Sequence, residues 1–306
     1  MIKLFIYSFV KIFFFITPLA IFLKKRFISQ NKKRIIIYPK KLKKNFFLNI
    51  IDNIFFKEYI LRIKNQNELR DLLALVPSSE VGRRWAEIYF NQNDTKNLED
   101  LKKTKIGTLS LYEGIPLFKN LIKFIKDNKF ENNSDVHIIQ LGSSSGKDLE
   151  FFYNHFPKLN YISTDISDEI LDFQKEKYKH KNFNFFKCFA EDIDKCINHF
   201  NIKTKNIIIF SHGSLQYVMP CFLKDFFLKV SEINNVHVFI NEPFDLKLLD
   251  KKDILSIDSG ALKFTHDYEK YAKNLKILEK RIIKLYPDND LTRSNTANYY
   301  LQLSNK

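Results

Sequence analysis

Glycine and serine make up the turn Gly142-Ser-Ser-Ser-Gly146, which follows the apolar run Val136–Leu141, and a carboxylate, Asp148, stands two residues behind it. Seventeen residues further on, Asp165 ends a second run, Asn160–Thr164. Small residues at a strand-to-helix turn let bare backbone N–H groups approach a ligand, and the helix that opens behind them points its partial positive charge at the same place. A carboxylate at the tip of the next strand suits paired hydroxyls, because both of its oxygens accept hydrogen bonds. Turn and carboxylate together describe a socket for an adenosine.

A pyrophosphate-binding turn would read G-x-G-x-x-G. Only Gly142 and Gly146 stand here, with Ser143, Ser144 and Ser145 between them, so a dinucleotide is the weaker match. Gln140-Leu-Gly-Ser-Ser-Ser-Gly146 resembles the first motif of class I S-adenosylmethionine-dependent methyltransferases, an acidic residue, an apolar residue and G-x-G-x-G. Gln140 replaces the acid and Ser144 the middle glycine. The resemblance covers roughly residues 115 to 306. It implies S-adenosylmethionine as cofactor, with contacts from Gln140, Gly142, Ser143, Ser144 and Gly146. Asp148 would supply the charge that Gln140 lacks, and Asp165 and Ile166 would lie at the ribose. In this family the loop after the third strand meets the adenine, which falls on Ala190 and Glu191 in Cys188-Phe-Ala-Glu-Asp192; Phe189 occupies a place where an acid is common. Ser211, at the end of the fourth strand, completes the set.

Strand-like runs at 136–141, 160–165, 182–188, 206–211 and 236–241 alternate with helix-length segments, the pattern of a mostly parallel sheet with helices on its faces. Two further runs, 275–285 and 296–303, flank Pro287-Asp-Asn-Asp290, a turn-forming cluster that predicts an antiparallel hairpin. Methyltransferases of this class close their sheet with such a hairpin.

Methyl transfer from a sulfonium requires the acceptor atom in line with the methyl group, and much of the acceleration comes from positioning. A hydroxyl acceptor must also lose a proton, a task for His or a carboxylate. Ligands of open sheets sit beyond the C-terminal strand ends. The candidate bases are therefore His212 behind the fourth strand, Glu242 behind the fifth, and His266 in Phe264-Thr-His-Asp-Tyr268.

The net charge of +15 is unevenly placed. Residues 1–50 hold twelve Lys or Arg and no acid, which leaves +3 for the remaining 256 residues. A nucleic-acid substrate would call for basic surface around the site, so nucleic acid is not the expected partner. Leu4 to Leu23 is a mostly apolar run of twenty residues followed by Lys24-Lys-Arg26, about the length that spans a bilayer as a helix. Lys3, Tyr7 and Lys11 share one face, so a helix lying in the interface is the alternative. The basic excess behind the run places the rest of the chain on the cytoplasmic side. Lys40-Lys-Leu-Lys-Lys44 is either a solvated charge run or an attraction to anionic lipid. Cys188, Cys196 and Cys221 lack metal or disulfide spacing and read as reduced thiols.

Helix-type apolar spacing at 58–75, 80–91 and 111–128 predicts a helical cap. Within it, Trp85 and Tyr89 share a face, and Arg83 or Arg84 would suit an anionic group if the segment is a lid; Tyr112-Glu-Gly114 would border the cofactor entrance.

The whole reads as α/β. A doubly wound, mostly parallel seven-stranded sheet with a C-terminal antiparallel hairpin occupies 131–306, preceded by a membrane-anchor helix with a basic flank at 1–30 and a basic linker with a helical cap at 31–130. The expected activity is methyl transfer to a small molecule or an envelope-associated lipid or sugar, at the cytoplasmic face of the inner membrane. Two other readings stand beside it: an NAD-dependent oxidoreductase or epimerase of Rossmann type, which lacks its glycine pattern here, and a non-catalytic membrane-docked binding protein.

Overall fold

The computed structural model describes residue 112 and residues 114–305, except 204, 252, 261–262 and 286–294. All of these belong to the second of two compact units, Gln92–Lys306. The apolar run 4–23, the helical stretches at 58–75 and 80–91 with Arg83, Arg84, Trp85 and Tyr89, and the turn 287–290 lie outside the described residues. Among the described ones, no helix is long and apolar enough to cross a membrane.

Helices and strands alternate in the order α1 (Pro116–Asp127), β1 (Val136–Leu141), α2 (Lys147–His155), β2 (Asn160–Asp165), α3 (Asp168–Lys177), β3 (Phe183–Lys187), α4 (Ile193–His199), β4 (Asn206–His212), α5 (Pro220–Ser231) and β5 (Val236–Asp245). Then come β6 (Ser256–Gly260), β7 (Lys263–His266), the short α6 (Tyr268–Tyr271), β8 (Lys276–Lys284) and β9 (Thr296–Ser304). Proline at the first turn starts α1 and α5, where its missing N–H costs no helical bond. Ser167 caps α3 by accepting from the Ile170 N–H.

Seven strands form one sheet in the order β3-β2-β1-β4-β5-β9-β8. The first five pair in parallel, and β9 runs antiparallel to both β5 and β8. Successive residues of a strand face opposite sides of the sheet, and here both sides are covered. Ile139, Ile207, Ile209 and Val238 pack with Cys196, Leu223 and Phe226 of α4 and α5. Ile138, Ile208, Phe210 and Phe239 pack with Phe118, Leu121 and Phe152 of α1 and α2. Each such side chain contributes about 1.5–3 kcal/mol on burial, which makes the sheet a rigid base for the loops at its strand ends. The mostly parallel seven-stranded sheet and its closing antiparallel pair are as the sequence predicts.

Two features differ from the sequence expectation. The described part of the predicted cap, α1, is a layer helix: Leu117, Phe118, Leu121 and Ile125 are buried in the same cluster as Ile138 and Phe239 of the sheet. The segment around Phe264 is a separate two-stranded sheet, β6 with β7, which the sequence had left without elements. The three cysteines are free thiols, as expected.

Candidate active site

The turn after β1 winds through the left-handed region three times, at Gly142 (φ 61), Ser144 (φ 50) and Gly146 (φ 73). Only glycine adopts that region without strain. The turn is pinned at Ser143, whose N–H donates to the Thr164 carbonyl at 2.9 Å and whose own carbonyl accepts from the Gly146 N–H. Its outer side is open at Gly142 and Ser144, whereas Ser143 and Gly146 face inward.

Asp165 closes this turn from the tip of β2. Its Oδ2 accepts from the Ser144 N–H at 3.0 Å, and its Oδ1 accepts from the Ile166 and Ser167 N–H groups at 2.8 and 3.2 Å. The carboxylate is thus held by backbone at the partly open rim, which also carries Ile166 and Ala190. The structure therefore brings Gly142, Ser144, Asp165, Ile166 and Ala190 to one edge, the C-terminal ends of β1 to β3.

Other predicted ligands are turned to different work. Ser143 Oγ is buried and accepts from Gln174 Nε2 at 2.8 Å. Ser211 Oγ is buried and donates to Glu242. Glu191 is buried in the short turn Ala190–Asp192, where its carbonyl accepts from Lys229 Nζ. These side chains shape the rim from within.

Of the three candidate bases, two are fully buried. Glu242 is 0% exposed. Its Oε1 accepts from the Ser211 hydroxyl and from the Ser214 and Leu215 N–H groups, both at 3.1 Å, while Oε2 accepts from the Gln216 N–H at 3.2 Å. Burial pushes its pKa up, opposed by these donors and by His212. Its task is to shape the loop behind β4, because buried N–H groups must be paired. His266 is also 0% exposed, with Nδ1 bonded to Ser256 Oγ at 2.8 Å. Burial lowers its pKa to about 3, so it takes up no proton near neutrality.

His212 alone reaches the rim, with 29% of its side chain exposed. Its Nδ1 lies 3.0 Å from Asp148 Oδ2, which also accepts from Gln140 Nε2 at 3.2 Å. Burial works against a charge on the ring, but the hydrogen bond and charge of Asp148, joined by the charge of Glu242, prevail and hold the pKa above the ordinary histidine value. The Asp148–His212 pair therefore stabilises the fold fully below that ordinary value, and its contribution fades as pH rises through the raised one.

Sequence reading missed the residues that support the turn. Gln174 is fully buried; its Nε2 donates to Ser143 Oγ and, at 2.6 Å, to the Ser144 carbonyl, and its Oε1 accepts from Ser163 Oγ. Tyr178 donates to the Ser145 carbonyl at 2.9 Å. Ser214 donates to the Gly142 carbonyl at 2.9 Å. A signal existed for Gln174, which is an amide on the buried stripe formed by Ile170 and Leu171.

No family model and no curated protein matches the chain. Among solved structures it is similar to an S-adenosylmethionine-dependent methyltransferase from Clostridium acetobutylicum, at 18% identity and TM-score 0.42 over 61% of this chain and 91% of that one. It is also similar to a methyltransferase of the same dependence from Anabaena variabilis, at 14% identity and TM-score 0.43 over 61% and 84%. A third is the geranyl diphosphate C-methyltransferase of Streptomyces coelicolor, at 10% identity and TM-score 0.45 over 61% and 79%. With five parallel strands in the order 3-2-1-4-5 and an antiparallel pair closing the sheet, the chain carries a mostly parallel, Rossmann-like α/β fold.

Proposed function

We propose that the protein is an S-adenosylmethionine-dependent methyltransferase acting on a small molecule or an envelope-associated lipid or sugar. The observation that carries this is the closure of the left-handed turn Gly142–Gly146 by the strand-end carboxylate of Asp165. An exposed glycine at Gly142 and an acid at the rim meet the needs of an adenosine cofactor: close approach on one side and acceptors for ribose hydroxyls on the other. Ile166 and Ala190 border the same edge, Gln140 lies in β1, and Asp148, in the first turn of α2, meets the partly exposed His212 at the end of β4. When bound, the cofactor supplies an electrophilic methyl group on a sulfonium; the chain's residues hold and orient the reactants and exclude water.

Calorimetry of the full chain with S-adenosylmethionine tests the proposal. Binding is expected, and Asp165→Ala should weaken it by about 1.5–3 kcal/mol, the range for a hydrogen bond to a charged group. That is roughly tenfold to over a hundredfold in Kd. Asp165→Asn keeps an acceptor for the Ile166 and Ser167 N–H groups and separates cofactor contact from local folding. A full-length chain that binds no S-adenosylmethionine defeats the proposal, and an unchanged Kd in Asp165→Ala removes Asp165 from the site.

Attachment to the cytoplasmic face of a membrane through residues 4–23 belongs to the same proposal and is supported by sequence alone: an apolar run of bilayer length with eleven basic residues within or behind it, up to Lys44. Full-length protein should stay in the membrane pellet through carbonate and high-salt washes if the run spans. Release by either wash assigns the run to the interface, and a protein soluble from the outset removes the tether.

A further inference from the structure

Among the described residues, six large apolar side chains stand exposed, and four of them, Ile277, Leu278, Ile283 and Leu285, fall within one short stretch. That stretch is β8 and the residue behind it. It is the outermost strand of the sheet: β8 pairs with β9 on one side and, among the described residues, with no strand on the other. The same strand carries Lys276, Lys280, Arg281 and Lys284 against a single acid, Glu279, which leaves it at +3. The nearby acids are already paired. Lys280 meets Glu269 at 2.6 Å, and Glu279 accepts from Asn120 of α1 at 2.7 Å while Arg281 turns back on it.

Lysines on an edge strand commonly guard it against pairing with another edge. That accounts for the charges and leaves the four apolar side chains between them unexplained. The pairing with β9 shows where they point. Ile277 lies opposite Leu303 and Ile283 opposite Asn298, with a register shift between Ile277 and Glu279. Leu303 packs in the cluster of α4 and α5, whereas Tyr300, two residues from Asn298 and so on its face, packs in the cluster of α1 and α2. Ile277 and Ile283 therefore emerge on opposite faces of the sheet, and β8 is a ridge of mixed cationic and apolar character.

We propose that the β8 edge is a membrane-contact surface that seats edge-on in the head-group layer of a bilayer containing anionic lipid. The cations meet lipid phosphates, and the lysine stems and the four apolar side chains lie between the head groups. The unpaired backbone groups of an open edge require water, which limits the contact to that layer. Charge favours lipid over a second copy of this chain. An antiparallel pair of β8 strands that sets Ile277 opposite Ile283 also sets Lys280 opposite Lys280 and Lys276 opposite Lys284, and like charges directly opposed destabilise a pair. The surface belongs to the folded unit; it depends neither on the methyltransferase reading nor on the tether at residues 4–23. Because β8 is continuous with the sheet, the contact would fix how the sheet stands on the bilayer.

Hydrogen exchange of the full-length chain tests this on two kinds of vesicle, phosphatidylcholine alone and an equal mixture with phosphatidylglycerol. Amides of 276–285 should be slowed on the mixed vesicles, exchange on phosphatidylcholine as they do in solution, and lose the protection in 1 M salt, where screening acts within about 3 Å. Each basic residue near an anionic surface is worth roughly fivefold in attachment, so Lys276→Gln with Lys284→Gln should weaken the contact about twenty-fivefold and return these amides to their rate on phosphatidylcholine. Ile283→Ser with Leu285→Ser, which keeps every charge, should also lose protection, while unchanged exchange in β1 and β4 shows that each variant is folded. Full protection in either variant overturns the surface, as does protection that appears without vesicles and grows with protein concentration, which assigns the edge to a second copy. A chain attached to both vesicles with the same exchange in β8 overturns the surface and leaves the tether standing. One that attaches only to the mixed vesicles, with β8 protected, supports the surface and removes the tether, and one that attaches to neither overturns both.

Discussion

Glu242→Ala is expected to lower the stability of the folded unit by about 3–5 kcal/mol, the range for removing one partner of a buried charged network. Four donors converge on this carboxyl group: the Ser211 hydroxyl and the N–H groups of Ser214, Leu215 and Gln216. Alanine takes this acceptor from all four; the Leu215 N–H keeps only its longer bond to Ser211 Oγ at 3.3 Å, and the Ser214 N–H is partly open, but the Ser211 hydroxyl and the Gln216 N–H are buried, and each buried unpaired donor costs about 1–3 kcal/mol. The loss should also spread to the cofactor socket, because Ser214 links this loop to the Gly142 carbonyl. Hydrogen exchange should show the Leu215 and Gln216 amides opening, and the urea midpoint should fall. Burial raises the Glu242 pKa in the folded state, so its contribution is greatest below the ordinary glutamate value and declines as pH rises through the raised one. Glu242→Gln should erase that slope. A variant with an unchanged urea midpoint and protected amides would mean that the loop holds its shape without this residue.

Gly142→Val should abolish measurable S-adenosylmethionine binding. At φ 61 a β-branched side chain is strained by roughly 1–3 kcal/mol, and a Cβ there would lie 2.5 Å from Ser214 Oγ and 2.6 Å from Ser214 Cβ. No real contact is that close, so the turn or the loop behind β4 must move. Sequence alone reserved the space at Gly142 for a ligand; the structure shows that Ser214 occupies part of it. The clash is separable from the strain: Gly142→Ala should weaken binding less, and adding Ser214→Gly should recover part of the loss. Calorimetry on the three variants decides, and normal binding by Gly142→Val would move the socket elsewhere.

The fold was largely legible because its determinants are local. Ile-rich runs bounded by helix-length segments specify parallel strands between two helical layers, and all seven predicted strands of the main sheet are present. The order of the last two was not legible. β9, not β8, pairs with β5, and the reason is burial: Tyr299, Tyr300, Leu301 and Leu303 fill both faces beside β5, while Lys276, Lys280 and Lys284 leave β8 at the solvated edge. The hairpin β6–β7 was missed because Ser256–Gly260 and Lys263–His266 are too short to establish a period.

By itself the sequence determined the turn, the strand-end acid and the class of cofactor they suit, since glycine conformation and carboxylate chemistry are properties of single residues at fixed spacing. Which of the candidate bases is exposed was decided only by tertiary structure. Glu242, His266 and His212 look equivalent in a list of residues, but burial and partner supply are properties of the packed chain. Packing encloses Glu242 in donors, puts His266 where a charge cannot be solvated, and brings Asp148 across from α2 to His212.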